Sequence, residues 1–276
     1  MSVLDTLGLS AEAIAKRRHS LGGSDANTIM GGNTDRIYRL WQEKRGEVEG
    51  DDLSGNLAVQ MGSFTEPLNI AWFEKQTGNR VYGSGAMVTR DSHSYPIHTT
   101  LDGMVSDGNG DTLGIFEAKH SNTRATDAEL FARYVPQLTH ACIVTGETRA
   151  FLSVFKGNAD WVTFEYALDD TYAAALIEAE AAFWRCVQDG TEPCAAPPVK
   201  TPKPVGVIEY DMTTSNAWTV AAANYTGTVL AAAQNEAAKK LLKELVPDDA
   251  SKAHGHGIEI RRAKNGSLRF YEGETA

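Results

Sequence analysis

The feature that most limits how this chain can fold is a pair of apolar, β-leaning segments that both carry charge at one end. Leu101-Asp102-Gly103-Met104-Val105 runs through the turn-rich Ser106-Asp107-Gly108-Asn109-Gly110 into Gly114-Ile115-Phe116-Glu117-Ala118-Lys119. Side chains alternate along a strand, so Glu117 and Lys119 share one face and Ala118 turns away. Asp-Gly and Asn-Gly clusters favour tight reversals, and a hairpin-like return brings Asp102 beside them. A Glu-x-Lys pair on a strand is ordinarily a solvated face. Here Ile115 and Phe116 make the strand apolar, and charges at the end of a buried strand are costly unless paired or metal-bound. Two carboxylates and an ammonium at one strand end suit hydrolysis assisted by hard divalent cations.

Composition narrows the setting. The chain has 276 residues, 42% hydrophobic and 22% charged, an ordinary globular profile with enough material for a sizeable core. No apolar run approaches membrane-spanning length, and Met1-Ser2-Val3-Leu4-Asp5 lacks the basic-then-apolar order of a signal peptide, so a cytoplasmic protein is expected. Cys142, Cys186 and Cys194 are widely spaced and read as reduced thiols, one short of an iron–sulfur or structural zinc set. The net charge of −10 argues against a broad nucleic-acid-binding surface. It is uneven: residues 1–199 hold 16 Lys and Arg against 27 Asp and Glu, and residues 200–276 hold 10 against 9. An acidic metal site inside a narrow channel remains compatible with that balance.

Taken in order, Lys16-Arg17-Arg18-His19-Ser20-Leu21-Gly22-Gly23-Ser24-Asp25 places a basic cluster before two glycines. Ser24 or Asp25 is a ready N-cap for a helix to about Met30, whose free N–H groups suit an anion. The plain alternative is a capped helix after a solvated turn. Residues 35–41 read as an amphipathic helix with Thr34 as its cap and Gly46 as its stop. After an acidic loop at 47–52, residues 56–77 read as helix, with Leu57, Met61, Phe64, Leu68 and Trp72 at three- and four-residue steps. Glu66 lies in it beside Pro67, and Gly62, one turn earlier, permits a close approach. Residues 81–82, 86–89 and 97–101 look like strands; His93 and His98 read as structural or surface residues. Residues 127–145 read as helix interrupted at Pro136, which is expected to open a new helical segment because a mid-helix proline costs ~3 kcal/mol. Gln137 and His140 then share one face. Residues 151–155 and 161–166 are strands around Gly157-Asn158, and Asp169-Asp170 caps a helix over 172–187.

Five prolines between 193 and 204 mark a stiff linker. The expected organisation is a domain at 1–192, a linker at 193–205 and a helical extension at 206–276. That extension holds a helix over about 214–245 and a pair of strands, 257–262 and 267–271, joined through Asn265-Gly266. So small a tail cannot build much core by itself and is expected to pack on the body, another subunit or a partner.

Five motifs together carry a resemblance. Arg17-Arg18-x-x-x-Gly22-Gly23-Ser24-Asp25, Met61-Gly62-x-x-x-Glu66, Leu101-Asp102-Gly103, Glu117-Ala118-Lys119 and Gln137 stand in the order found in YqaJ-type viral recombinases. These are relatives of the phage lambda exonuclease within the PD-(D/E)xK nuclease superfamily, and the similarity spans about residues 15–190. The resemblance implies an α/β fold, a mixed sheet flanked by helices, and Mg²⁺-dependent 5′-to-3′ exonuclease action on linear double-stranded DNA that leaves 3′ single-stranded overhangs for annealing. It implies that Asp102, Glu117 and the Ala118 carbonyl bind two Mg²⁺ ions, with Mn²⁺ able to substitute, and that Glu66 supports them. Lys119 orients and activates the water. Gln137 falls on the family's glutamine helix, and with Arg17, Ser24 and Thr100 on the grip for the terminal 5′-phosphate. It further implies a ring trimer and a single-strand annealing partner. Leu101 replaces the family's proline, and His140 stands where many relatives have tyrosine.

Other readings are a RecB/Cas4-like nuclease, disfavoured by three scattered cysteines, and a site-specific endonuclease, for which no target-recognition segment is evident. A non-catalytic DNA-end-binding protein on the same scaffold is expected to lack a carboxylate or the lysine, and none is missing.

Overall fold

The structure, a computed structural model, describes residues 17–51, 55–90, 94–122, 124–206 and 212–272. Lys16, His93 and the N-terminal segment read above for a signal peptide lie outside the described residues. The chain divides into two compact units between residues 207 and 208.

The first unit is built on a five-stranded mixed sheet. Helices α1 (Gly23–Met30), α2 (Thr34–Arg45) and α3 (Leu57–Thr77) precede β1 (Arg80–Tyr82), β2 (Met87–Arg90), β3 (Ile97–Thr100), β4 (Gly103–Ser106) and β5 (Thr112–Ser121). Helix α4 (Asp127–Thr145), strands β6 (Arg149–Lys156) and β7 (Asp160–Ala167), and helix α5 (Asp170–Asp189) follow. The sheet order is β1-β4-β5-β6-β7, with only β5 and β6 parallel, while β2 and β3 form a separate antiparallel pair. Helix α4 makes the crossover between β5 and β6, the connection a parallel pair needs.

Strand β5 is covered on both faces, which explains its unbroken apolar run. On one face Ile115 packs with Leu130 and Leu138 of α4 and with Leu152 and Tyr166. On the other, Phe116 meets Phe73 of α3 at 4.9 Å between ring centroids, and Phe151 joins them. Each such buried phenylalanine contributes ~1.5–3 kcal/mol. A third cluster, including Ile29, Ile37, Trp41, Ile97, Leu176 and Phe183, binds α1, α2 and α5 to β3.

Several local expectations are corrected. The N-cap of α1 is Gly22, so Ser24 lies in the first turn, and Asp25 Oδ2 accepts the Gly22 N–H at 2.9 Å. Asn33, not Thr34, caps α2 by accepting from Arg36 N at 3.0 Å. Helix α4 runs unbroken through Pro136. The proline removes one ladder bond, but the next N–H, that of Gln137, is taken by Asn27 Oδ1 of α1 at 3.0 Å, so a tertiary contact offsets the local cost. A Cβ on Gly62 would meet open space among the described residues, so that face of α3 is left open to an approach from outside. The apolar repeat of α3 does not face the core: Asn69 and Phe73 are buried, whereas Leu57 is 75% and Phe64 62% exposed.

The second unit comprises α6 (Asn216–Glu244) and strands β8 (Lys252–Gly255), β9 (Ile258–Arg262) and β10 (Leu268–Glu272) in the antiparallel order β10-β9-β8. Two strands are expected from the sequence and three are present. Strand β8 hides behind His254-Gly255-His256-Gly257, whose glycines resemble a loop. Val246 and Ile260 are buried here, while α6 buries none of its residues. Among the described residues no helix is long and apolar enough to cross a membrane.

Candidate active site

The turn at residues 107–111 closes β4 onto β5 in an antiparallel ladder whose last pair is Gly103 with Phe116. One step further, Asp102 falls beside Glu117 where the ladder ends. Its Oδ2 accepts the Ala118 N–H at 2.8 Å. A strand residue projects its N–H and C=O to the same side, so the Ala118 carbonyl opens towards Asp102 as well. Gly103 is required here, because a Cβ would come within 2.4 Å of Val81 Cγ1.

Glu117 is the centre of the cluster and is 3% exposed. Lys119 Nζ donates to its Oε1, and Gln137 Nε2 donates to the same oxygen at 2.5 Å. Gln137 is itself held, since its Oε1 accepts from Asn27 Nδ2 at 3.1 Å. Helix α1 comes close enough for this because residue 23 is glycine: a Cβ there would lie 2.8 Å from Gln137 Cγ. The Lys119 ammonium also lies 5.6 Å from the centre of the Tyr134 ring, one turn before Gln137 on α4. From the other face, buried Asn69 of α3 donates to the Lys119 and Ser153 carbonyls at 3.2 and 3.1 Å, clamping the ends of β5 and β6. Trp161 Nε1 and Ser153 Oγ complete that network at 2.8 Å.

The electrostatics follow from burial. Desolvation raises the Glu117 pKa well above the ordinary carboxylate range, the Asp102 charge adds to it, and Lys119 works against both. Glu66, on α3 and half-buried, is raised for the same two reasons, desolvation first and then Asp102. Burial works against the Lys119 ammonium, yet Glu117 and Asp102 outweigh it and hold it above the usual lysine value. Lys119 is therefore a cation here, a donor and not a base.

Asp102, Glu117, Glu66, Lys119 and Gln137 are thus brought together. The three carboxylates form a concentration of negative charge that a hard divalent cation relieves, and oxygen donors from Asp102, Glu117 and the Ala118 carbonyl suit Mg²⁺. Among the described residues, no three acidic, imidazole or thiolate groups are already disposed as a cation cage. Lys119 holds the Glu117 oxygen instead. The residues fit such an ion chemically, with the ammonium as the group that must swing aside or share the carboxylate.

Of the remaining residues, Ser24 lies in the first turn of α1, the Arg17 backbone is tied to the same place through Lys44, and Thr100 ends β3. Arg17, Ser24 and Thr100 are exposed, and Gln137, packed against Gly23, donates to Glu117. Beneath them, buried Lys44 of α2 donates to the carbonyls of Arg17 and Ser20 at 2.6 and 2.8 Å and to Asp25 at 2.6 Å. His98 is structural: it is buried, its Nδ1 lies 2.8 Å from Ser20 Oγ, and burial lowers its pKa to about 4. His140 is fully buried and offers nothing to a surface ligand. Its Nδ1 meets Glu180 Oε1 at 2.7 Å, its Nε2 meets the His98 carbonyl at 2.9 Å, and Tyr95 donates to the other Glu180 oxygen at 3.0 Å. Asn27, Asn69 and Tyr134 were not singled out in the sequence. Tyr134 alone had a signal, standing one helical turn before Gln137.

Residues 14–148 match the family described as the YqaJ-like viral recombinase domain. The chain is 28% identical over 180 residues to the uncharacterized protein YqaJ of Bacillus subtilis (strain 168), a match covering 63% of this chain and 54% of that protein, so it spans about half the relative's length. Among solved structures it is similar to the alkaline exonuclease LHK-Exo of Laribacter hongkongensis, with a TM-score of 0.51 and 16% identity over 66% of this chain and 94% of that one. The LHK-Exo complex with dAMP matches with the same TM-score at 18% identity, again over 66% and 94%. At that identity the likeness is one of fold: a mixed sheet flanked by helices. Over residues 14–148 this chain is similar to the YqaJ-like viral recombinase domain.

Proposed function

We propose that this chain is a Mg²⁺-dependent exonuclease that digests linear double-stranded DNA from 5′ to 3′ and leaves 3′ single-stranded overhangs for phage-type recombination. The observation that carries the reading is the meeting of Asp102, Glu117 and Lys119 at the open end of β4 and β5. Asp102, Glu117 and the Ala118 carbonyl would hold the ions, two in number, with Glu66 tuning them through its charge. When bound, they supply charge neutralisation at the scissile phosphate and at the leaving 3′ oxygen. Gln137 fixes the Glu117 carboxylate, and Asn27 fixes Gln137. Lys119, held protonated, donates to an oxygen of the attacking water or the phosphate, and Asn69 holds its strand in place.

Arg17, Ser24 and Thr100 would grip the terminal 5′-phosphate. Ser24 lies in the first turn of α1, where free N–H groups add to the attraction for an anion. Gln137 would join that grip through its second Nε2 N–H, the first being donated to Glu117. The family resemblance supports a ring trimer that encloses DNA, a single-strand annealing protein as partner, and a cytoplasmic setting in the host cell.

The decisive experiment digests linear duplexes, with and without 5′-phosphate, in Mg²⁺ or EDTA. Release of mononucleotides from 5′-phosphorylated strands in Mg²⁺, silent in EDTA, is expected. Lys119→Ala should abolish it while leaving end binding and the circular dichroism spectrum intact. Near wild-type cleavage by that variant would remove Lys119 from the mechanism.

A further inference from the structure

The second unit is unlike the rest of the chain in charge. Residues 250–271 hold five Lys and Arg against one Glu, whereas the whole chain carries 26 against 36 acidic residues. The strand register shows where that charge goes. Lys252 of β8 pairs with Arg261 of β9, and Arg261 pairs with Arg269 of β10. Three cations therefore stand directly opposite one another across all three strands. The next row on the same face is His254, Glu259 and Tyr271. Ile260 and Phe270 point the other way; Ile260 is buried, and the Lys243 ammonium of α6 lies 5.7 Å from the centre of the Phe270 ring.

A row of like charges placed directly opposite is destabilising in a sheet. Glu259 offsets part of it by pairing with both Lys252 and Arg261, which leaves Arg269 unmatched in that row. The row stays open to solvent: the Lys252 and Arg261 side chains are 46% and 57% exposed. Tyr271 is 44% exposed beside them, with the Arg261 guanidinium 4.8 Å from the centre of its ring. Adjacent strands lie ~4.8 Å apart, so the row spans about 10 Å and suits two successive phosphates of one nucleic-acid strand.

We propose that the outer face of the β8–β10 sheet binds single-stranded DNA, with Lys252, Arg261 and Arg269 on the phosphates and Tyr271 stacking on a base. The charge of the face selects a polyanion. The aromatic ring selects one with unpaired bases, since stacking needs a free base face and a duplex hides it. The site lies wholly within the second unit and does not depend on the nuclease reading.

The test measures anisotropy of a labelled oligothymidylate with the full chain in EDTA, where nothing is cut. Lys252→Ala/Arg261→Ala/Arg269→Ala is expected to weaken binding at least tenfold and to lower the slope of log affinity against log salt by about 1.4, as neutralisation of the two phosphates is lost. Tyr271→Ala should weaken binding without changing that slope, and Arg261→Lys/Arg269→Lys should restore the slope in a folded protein. The triple variant should still digest a duplex at saturating enzyme, so failure of this surface and failure of the nuclease site read out separately. An unchanged slope in the triple variant overturns the proposal. So does equal loss of binding to duplex and single strand, or displacement of the oligonucleotide by polyglutamate of equal charge.

Discussion

At the scale of single residues, the site trades stability for charge. Glu117 is buried among carboxylates with a raised pKa, so the metal-free protein binds more protons there than the unfolded chain does. The sign follows. Stability from this group is full below the ordinary glutamate pKa and falls as pH rises through the raised value. Mg²⁺ should therefore raise the melting temperature far more at pH 8 than at pH 5, and Glu117→Gln should flatten both the pH dependence and the metal response. Calorimetric scans with Mg²⁺ or EDTA check this; a metal shift that is equal at both pH values would count against Glu117 as a ligand. Arg17 is a different case, because its exposed guanidinium is assigned to the substrate and not to the fold. Charge-assisted contacts of this kind contribute about 1.5–3 kcal/mol, so Arg17→Ala should slow digestion of 5′-phosphorylated ends roughly ten- to a hundredfold. Ends with a 5′-hydroxyl already lack the partner and should change little. Equal slowing of both substrates would make Arg17 a general backbone contact.

At the scale of elements, what holds the strand end in register is a set of polar links between helices that no single motif announces. Alternation along β5 and the turn chemistry after Val105 were enough to bring Asp102 to Glu117, because both depend only on neighbours in sequence. The cap of α1 fell two or three residues earlier than expected, on a glycine, and that of α2 one residue earlier, where Asn33 and Thr34 compete for one role. Pro136 misled for a more instructive reason: local cost argued for a break, and Asn27, 110 residues away, removed the need for one. His140 was equally opaque. Its two ring nitrogens face a carboxylate and a carbonyl, both acceptors, so the ring must carry two protons. Burial works against that charge, yet Glu180 and the His98 carbonyl, with Asp25, hold its pKa above the usual value. This buried pair ties α4 to α5 and β3. Removing one member of such a pair costs about 3–5 kcal/mol, so Glu180→Gln should lower the urea midpoint sharply. The contribution of the pair is full below the ordinary histidine pKa and is lost as pH rises through the raised one. Urea titrations at several alkaline pH values should show that loss in the wild type, and Glu180→Gln should lack it. Unlike the Glu117 effect, Mg²⁺ should not restore it.

At the scale of the whole molecule, the proposed function asks an acidic chain to hold a polyanion long enough to cut it repeatedly. A closed ring does this by topology, and the exposed stripe on α3 is where the chain has surface to spare for one. Leu57, Met61, Phe64, Leu68 and Trp72 recur along one side of that helix, and all are at least 37% exposed. The opposite side is spoken for by Asn69 and Phe73, which clamp the catalytic strand. Contiguous apolar stripes of this kind mark interaction surfaces. Light scattering at working concentration should therefore give three times the chain mass of 29.9 kDa. Phe64→Glu/Leu68→Glu changes only exposed side chains, so it should leave a folded monomer with an intact site. That monomer should still release nucleotides from short duplexes but should fall off long ones, and a challenge with excess unlabelled DNA should separate it from the wild type after the first few cuts. A wild-type monomer, or a double variant that stays assembled and processive, would place the stripe outside any ring and return the acidity of the chain to an unexplained property.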